Sequence, residues 1–197
     1  PLLPSSANHV WAYDFVFDTC ANGQQLKCLT VIDEWTRESL AIDVAGGIRS
    51  GRVIEVLTQL VSVHGAPRYL RSDNGPEFVA CAILRWLHEA GIETALIDPG
   101  KPWQNGADES FNGKFRDEEL SLQWFRNRVD ARVSIERWRR HYNEVRPHSS
   151  LAYLTPLEFK ASQVPGRDDG GGAPGGAGRG PGGEPAPLTG PCGARLP

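Results

Sequence analysis

The chain has 197 residues, a formal net charge of -3 and 40% apolar residues. This length is typical of one domain, and this content of apolar side chains excludes wholesale disorder. No apolar run approaches the roughly 20 residues of a membrane-spanning helix, so no membrane partner is expected, and a mildly acidic charge would argue against nucleic acid if it were evenly spread.

Composition and charge change along the chain. Residues 163–197 hold 12 of the 22 Gly and 7 of the 15 Pro, which predicts a disordered Gly/Pro-rich tail after a folded core of residues 1–162. Within that core, residues 1–109 carry 8 basic and 14 acidic residues, a net of -6. Residues 110–162 carry 10 basic and 7 acidic residues, a net of +3. Residues 1–109 could therefore hold cations, and residues 110–162 could bind a polyanion beside them.

The first predicted elements are three strands joined by short loops. Alternating apolar side chains rich in aromatic and β-branched residues predict strands over residues 9–18, 26–35 and 39–45. Asn22-Gly23 supplies the turn between the first two, since this pair tolerates the positive φ angles of a tight hairpin. The three strands should therefore form an antiparallel meander.

Helices and strands then alternate. Apolar spacing and terminal glycines predict helices over residues 52–63 and 77–90 and strands over 69–72 and 92–97. Two further helices are predicted, one from about Asn105 and one over residues 129–142. The order β-β-β-α-β-α-β-α-α predicts an α/β fold, with a mixed five-stranded sheet in which helical crossovers reach the last two strands.

Three carboxylates lie at positions where chemistry is plausible. Asp14 interrupts the first strand between apolar neighbours, Asp73 follows the fourth strand, and Glu109 lies one turn into the helix after Asn105. Each has an ordinary alternative: a solvated strand face, a turn built from Asp-Asn-Gly-Pro, or a solvated helix face. Together, three converging carboxylates would suit hard divalent cations, which prefer oxygen ligands and can support displacement at phosphorus.

The spacing and flanking residues resemble those of insertion-sequence DDE transposases and of the retroviral-integrase catalytic core. Thirty-five residues separate Asp73 from Glu109, and Asp14 precedes both on a first strand. The matching segments cover about residues 6–162 and are WAYDF at 11–15, LTVID at 29–33, SDNGPEF at 72–78, ESFNG at 109–113 and YNEVRPH at 142–148. The resemblance is to the second-frame product of elements that encode their transposase in two overlapping frames.

The resemblance implies a ribonuclease-H-like fold and a catalytic set of Asp14, Asp73 and Glu109 that binds two Mg²⁺ or Mn²⁺ ions. It implies cleavage by water at transposon ends, followed by attack of the freed 3′-hydroxyl on target DNA. Asn74 would shape the loop of Asp73 at the DNA. Further DNA-binding residues would be Asn112, Lys114, Arg116, Arg146 and His148, although for the last two a helix-ending packing role is an equal alternative.

Members of this family normally carry helix-turn-helix regions before the catalytic core, and this chain contains no Met and begins 13 residues before Asp14. The sequence therefore predicts a partner that supplies the missing helix-turn-helix region or first-frame product. We also expect a homo-oligomer on DNA in a bacterial cytoplasm, associated with the nucleoid. The alternative is a truncated, non-autonomous remnant that acts at most as a DNA-binding or dimerisation module.

Overall fold

The computed structural model describes residues 2–72, 81–96 and 106–163. In chain order the elements are β1 (Val10–Thr19), β2 (Gln25–Asp33), β3 (Ser39–Ala45), α1 (Ser50–His64), β4 (Tyr69–Ser72), α2 (Cys81–Glu89), β5 (Glu93–Leu96), α3 (Gly106–Phe115), α4 (Arg128–Glu144) and α5 (Pro156–Ser162). A π-helical turn, Arg116–Leu120, follows α3, and a 3₁₀ turn, Ser149–Leu151, precedes α5.

The five strands form one mixed sheet in the order β3-β2-β1-β4-β5. The pairs β1–β2 and β2–β3 are antiparallel, whereas β1–β4 and β4–β5 are parallel. The predicted meander and the two later strands are thus confirmed. The predicted hairpin turn is also present, with Gly23 at a φ of 81°, a left-handed conformation that glycine adopts without steric cost.

The central strand β1 has core on both of its faces. Trp11, Tyr13 and Phe15 point to a core that includes residues of α1 and α2. Ala12 and Val16 point to a second core that includes residues of α3 and α4. Since successive side chains of a strand alternate between faces, Asp14 lies on the second face, between Ala12 and Val16.

One helix and one helical irregularity were not predicted from the sequence. Helix α5 begins with a capping box, in which the Thr155 hydroxyl accepts from the Glu158 N–H and the Glu158 carboxylate accepts from the Thr155 N–H. Thr155-Pro156 with Glu158 is a sequence signal for such a start. The π-helical turn after α3 has no comparable signal.

Several predictions fall outside the described residues. They concern the start of the helix at 77–90, the cap at Asn105, and the tail at 163–197 apart from Gln163. The boundary that the sequence predicts between a core of residues 1–162 and a tail of residues 163–197 stays a prediction. Within the described ranges, no helix is both long and apolar enough to cross a membrane.

Asn143 ties α4 to the edge strand β3. Its buried amide accepts a hydrogen bond from the Ser39 N–H at 2.8 Å and donates to the Ser39 carbonyl at 2.9 Å. We expect Asn143→Ala to lower the free energy of unfolding by about 2 kcal/mol, because a buried backbone N–H loses its acceptor. Urea denaturation would measure this. Glu144→Ala, at the exposed neighbouring position, should change stability by much less, and equal losses would contradict the assigned role.

Candidate active site

Asp14 is a half-buried carboxylate in the middle of β1. The Asn112 amide Nδ2 donates to Asp14 Oδ2 at 3.0 Å and to Asp108 Oδ2 at 3.2 Å. The Phe15 N–H donates to Asp14 Oδ1 at 2.7 Å. A charged oxygen in a partly buried place requires such donors or a cation. The amide therefore links the central strand to α3.

Aromatic packing fixes the orientation of α3. Phe111 and Phe115 are fully buried, with ring centroids 6.4 Å apart. Phe111 packs edge-on against Tyr142 at 5.0 Å, and Phe115 lies 5.2 Å from Trp138, so both contact α4. Because side chains three and four residues apart share a helix face, this packing also turns the polar neighbours of the two phenylalanines toward β1.

Glu109 lies on α3 one turn before Asn112 and is exposed. Residues three apart on a helix are neighbours on its surface, so the Glu109 side chain begins next to the amide that contacts Asp14. The structure thus brings the helix of the predicted Glu109 to the strand of the predicted Asp14. Asp108, a position that the sequence analysis did not single out, is completely buried in the same network.

The third predicted acid, Asp73, and its neighbour Asn74 lie outside the described residues. The strand that leads to them, β4, ends at Ser72 and pairs with β1 in parallel. Among the residues that the structure does describe, no group of three or more His, Cys, Asp or Glu side chains is arranged to hold a metal ion. The predicted set includes Asp73, so its convergence stays a prediction.

A buried ion pair includes Arg71 of β4, two residues before Asp73 in the sequence. Arg71 Nη1 donates to the two carboxylate oxygens of Glu34 at 2.9 and 2.8 Å, and both side chains are almost inaccessible to solvent. Burial raises the pKa of Glu34 to about 7, against the opposing effect of Arg71. This pair was not predicted from the sequence, although an arginine next to Leu70 in a short strand was a signal.

The predicted DNA-binding residues have different surroundings. Asn112 is only 6% exposed, which favours a positioning role over direct contact with DNA. Arg116 is exposed, and half-buried Lys114 donates to the Ser110 hydroxyl at 3.0 Å. Arg146 forms an ion pair with Glu118.

His148 is buried against Tyr142, with ring centroids 4.7 Å apart. Its Nε2 atom has no hydrogen-bond partner in the described part of the chain. Burial, together with the nearby cations Lys114 and Arg146, lowers the pKa of His148 to about 4. The packing role that the sequence left open for His148 is therefore present in the structure.

Comparison with known proteins gives one consistent family. Two models described as Integrase core domain match residues 4–102 and 90–156. An uncharacterized 39.2 kDa protein of insertion element IS476 from Xanthomonas euvesicatoria is 50% identical over 161 residues, which are 82% of this chain and 46% of that protein. A putative transposase InsD of insertion element IS2E from Escherichia coli is 28% identical over 78% of this chain and 73% of its own length.

The chain thus spans about half the length of the more similar of these two relatives. Among solved structures, the catalytic core domain of HTLV-2 integrase in complex with magnesium, in its trimeric form, superposes with a TM-score of 0.60. The match has 16% sequence identity and covers 79% of this chain and 97% of that domain. This likeness confirms the predicted fold, that of an integrase catalytic core with a mixed five-stranded sheet.

The burial of His148 predicts a dependence of stability on pH. Its pKa is about 4 in the folded chain and about 6.5 when unfolded. Between these values only the unfolded chain binds the proton, so the free energy of unfolding should fall as the pH drops from 6.5 to 4, by up to about 3 kcal/mol.

Urea denaturation at several pH values would measure this dependence. His148→Asn should remove that part of the slope, whereas His141→Asn, at an exposed position of α4, should retain it. A His148→Asn chain with the same pH slope as the wild-type chain would contradict the prediction.

Proposed function

The chain belongs to the integrase core domain family, and on this basis we propose that it is the catalytic core of a DNA transposase. The proposed reaction is cleavage of a phosphodiester at a transposon end by water, which releases a 3′-hydroxyl. That hydroxyl then attacks a phosphorus atom of target DNA, and a 3′-oxygen of the target strand departs. Since the chain covers only about half of a similar relative, this proposal concerns the activity to which the chain contributes.

The contact of Asn112 with Asp14 carries the proposal. It joins the central strand, which bears one predicted acid, to the helix that bears Glu109. The second strand concerned, β4, pairs with β1 so that Ala12 lies opposite Arg71. In the sequence, Asp14 and Asp73 each lie two residues after this pair. A continuation of the register would bring the second predicted acid beside the first.

The donor set fits a hard divalent cation. Asp14 supplies carboxylate oxygens at a half-buried position, and the buried Asn112 Oδ1 has no partner within the described residues. Mg²⁺ and Mn²⁺ prefer such oxygen ligands and commonly take one or two carboxylates each. We assign Asp14, Asp73 and Glu109 as the residues that would hold two such ions. When bound, the ions would activate the attacking oxygen and stabilise the leaving oxygen.

The chain's own residues have separate tasks in this proposal. Asn112 orients Asp14 by its hydrogen bond, and the packed aromatic rings of α3 keep the amide in place. Exposed Arg116 lies seven residues after Glu109, two turns along the same side of the helical segment, and would contact DNA phosphates. Asn74 would shape the DNA-facing loop of Asp73, and Lys114, Arg146 and His148 would lie near DNA on the other side of α3.

The proposed partners are transposon ends, target DNA and further copies of the chain. The HTLV-2 integrase core is described in a trimeric form, which supports assembly of this type of domain. The relatives belong to bacterial insertion elements, so the proposed place of action is bacterial DNA. The alternative, an inactive remnant that only binds DNA or dimerises, has no better support from these matches.

Strand cleavage tests the three acids. With Mn²⁺ and a supercoiled plasmid, we expect the wild-type chain to nick DNA, and Asp14→Asn, Asp73→Asn and Glu109→Gln each to lower the rate on the order of 100-fold or more, because a metal ligand is lost. Gel electrophoresis measures the nicked product. Asp18→Asn is the matched control, since Asp18 lies on the same face of β1; its activity should be unchanged.

Two results would refute the assignment of the acids. One is nicking that persists in EDTA, and the other is a variant of any of the three acids that cuts as fast as the Asp18→Asn chain. Calorimetric titration with Mn²⁺ gives a second readout that does not depend on recognition of a DNA end. Each of the three variants should bind Mn²⁺ more weakly than the wild-type chain.

Asn112 is tested as a positioning residue. Asn112→Ala leaves the three acids in place but removes the donor to Asp14, so we expect Mn²⁺ affinity and nicking to fall by roughly 10-fold to 100-fold. Thermal unfolding identifies a merely structural effect. Lys114→Gln serves as a control on the same helix, because it should leave Mn²⁺ affinity unchanged. A loss of stability without a loss of Mn²⁺ affinity would contradict the positioning role.

A further inference from the structure

A cavity with a mixed polar and apolar lining lies on the side of α3 opposite Glu109. It is a cavity of about 440 Å³, within the size range of small-ligand sites. Its walls come from distant parts of the chain: the N-terminal segment Leu2–Pro4, the turn after β2, the end of β4, the first turns of α3, and the end of α4 with the segment after it. The polar residues that line it include Arg37, Arg71, Ser110, Lys114, His148 and Ser149.

The side of α3 that faces the cavity differs from the side that carries Glu109. Ala107, Ser110, Phe111 and Lys114 line the cavity. At 100° per residue, these positions form a stripe separate from that of Glu109 and Arg116. An α-helix with side chains is about 10 Å across. A ligand in the cavity would therefore lie about a helix width from Glu109 and would not displace a metal ion from it.

The cavity holds more positive charge than its acids can neutralise. Arg71 is paired with Glu34, and nearby Arg146 is paired with Glu118. Lys114 and Arg37 remain, and neither has an ion-pair partner among the described residues. Burial lowers the pKa of Lys114, and the cations Arg146 and Arg37 lower it further. Unpaired cations placed together in this way are stabilised by a bound anion.

The turn after β2 holds Arg37 in a strained but firmly supported conformation. Arg37 has a φ of 61°, in the left-handed region that non-glycine residues rarely adopt. The Asp33 carboxylate accepts hydrogen bonds from the N–H groups of Trp35 and Thr36 at 2.9 Å each, and from the Asn8 N–H at 2.7 Å. Strain that surrounding bonds maintain is characteristic of functional positions. Arg37 is thus preorganised at the cavity before a ligand arrives.

His148 supplies a further unsatisfied group. Its side chain is 95% buried, it lines the cavity, and Nε2 has no partner in the described part of the chain. The hydroxyls of Ser110, Ser149 and Ser150 also line the cavity and can donate. Cations and hydroxyls together are the groups that bind phosphate oxygens.

We propose that this cavity binds a phosphodiester group of DNA through Arg37 and Lys114, on the side of α3 opposite Glu109. The choice of DNA rests on the proposed function, because α3 carries both the cavity wall and Glu109. A strand that reaches the acids would pass over α3, and one of its phosphates, or a phosphate of the partner strand, would enter the cavity. The site anchors DNA and takes no part in bond cleavage.

Equilibrium binding tests this without any strand chemistry. The full chain is titrated against a fluorescent duplex in EDTA from about 50 to about 200 mM salt, and anisotropy gives the Kd. We expect Arg37→Asn and Lys114→Gln each to weaken binding about tenfold, and to reduce the salt slope of log K by about one, as for one lost phosphate contact. Asparagine is chosen at position 37 because it tolerates a positive φ.

Controls separate charge, fold and location. Arg37→Lys keeps the charge, so it should retain the salt slope with an intermediate Kd. Arg85→Gln removes an exposed cation from α2, outside the cavity, and should bind like the wild-type chain. Circular dichroism and thermal unfolding verify that each variant is folded.

Inorganic phosphate distinguishes a free anion from DNA. If it raises the Tm of the wild-type chain but not of Arg37→Asn, while all chains bind DNA equally, the DNA assignment is overturned. Equal DNA binding without any phosphate effect would overturn the site itself, as would a wild-type chain that does not bind DNA at low salt. Because the binding assay contains no divalent cation, its result does not depend on strand cleavage. Absence of nicking in the separate Mn²⁺ assay would refute the proposed function and leave the binding result unaffected.

Discussion

The rest of the site depends on one constraint, a carboxylate in the middle of the central strand. Asp14 occupies a position whose strand neighbours Ala12 and Val16 face the core between the sheet and α3 and α4. A partly buried carboxylate is costly there unless donors or cations compensate for the lost water. The Asn112 amide meets this requirement in part, at 3.0 Å. The position of α3 is thus set both by the packing of its aromatic rings and by the hydrogen bond that the Asp14 carboxylate of β1 accepts from Asn112.

Because α3 is fixed in this way, its surface and that of the π-helical turn after it are divided among four tasks. Phe111 and Phe115 enter the core, Asn112 contacts β1, and Glu109 and Arg116 remain exposed. The last stripe, which includes Lys114, closes the cavity. A shift of this helix would therefore disturb the core, the carboxylates and the cavity together. This coupling explains why one short helix of low overall hydrophobicity can be held so firmly, since α4 packs its aromatic side chains against it.

Most of the fold could be predicted from the sequence because local patterns dominate it. The sequence predicts β3 and β4 with the observed bounds, since both are short runs between clear turn signals. It also assigns Asp14 and Glu109 to the elements that carry them. It could not predict that Asn112 is buried, because that depends on which face of α3 meets the sheet. Arg37 escaped notice for a similar reason: only the fold brings it near Lys114 and His148, which lie more than 70 residues away.

The net charge of -3 hides the arrangement that matters for a polyanion. The net-acidic segment of residues 1–109 includes the three predicted metal ligands. Bound cations would offset the negative charge of these ligands. The basic residues 110–162 include Lys114, which the fold joins to Arg37 from the acidic part. Charge in this chain is therefore organised by α3 rather than by position in the sequence. A DNA strand across that helix would meet bound metal ions on one side and cationic side chains on the other. The net charge of the chain carries no information about this arrangement.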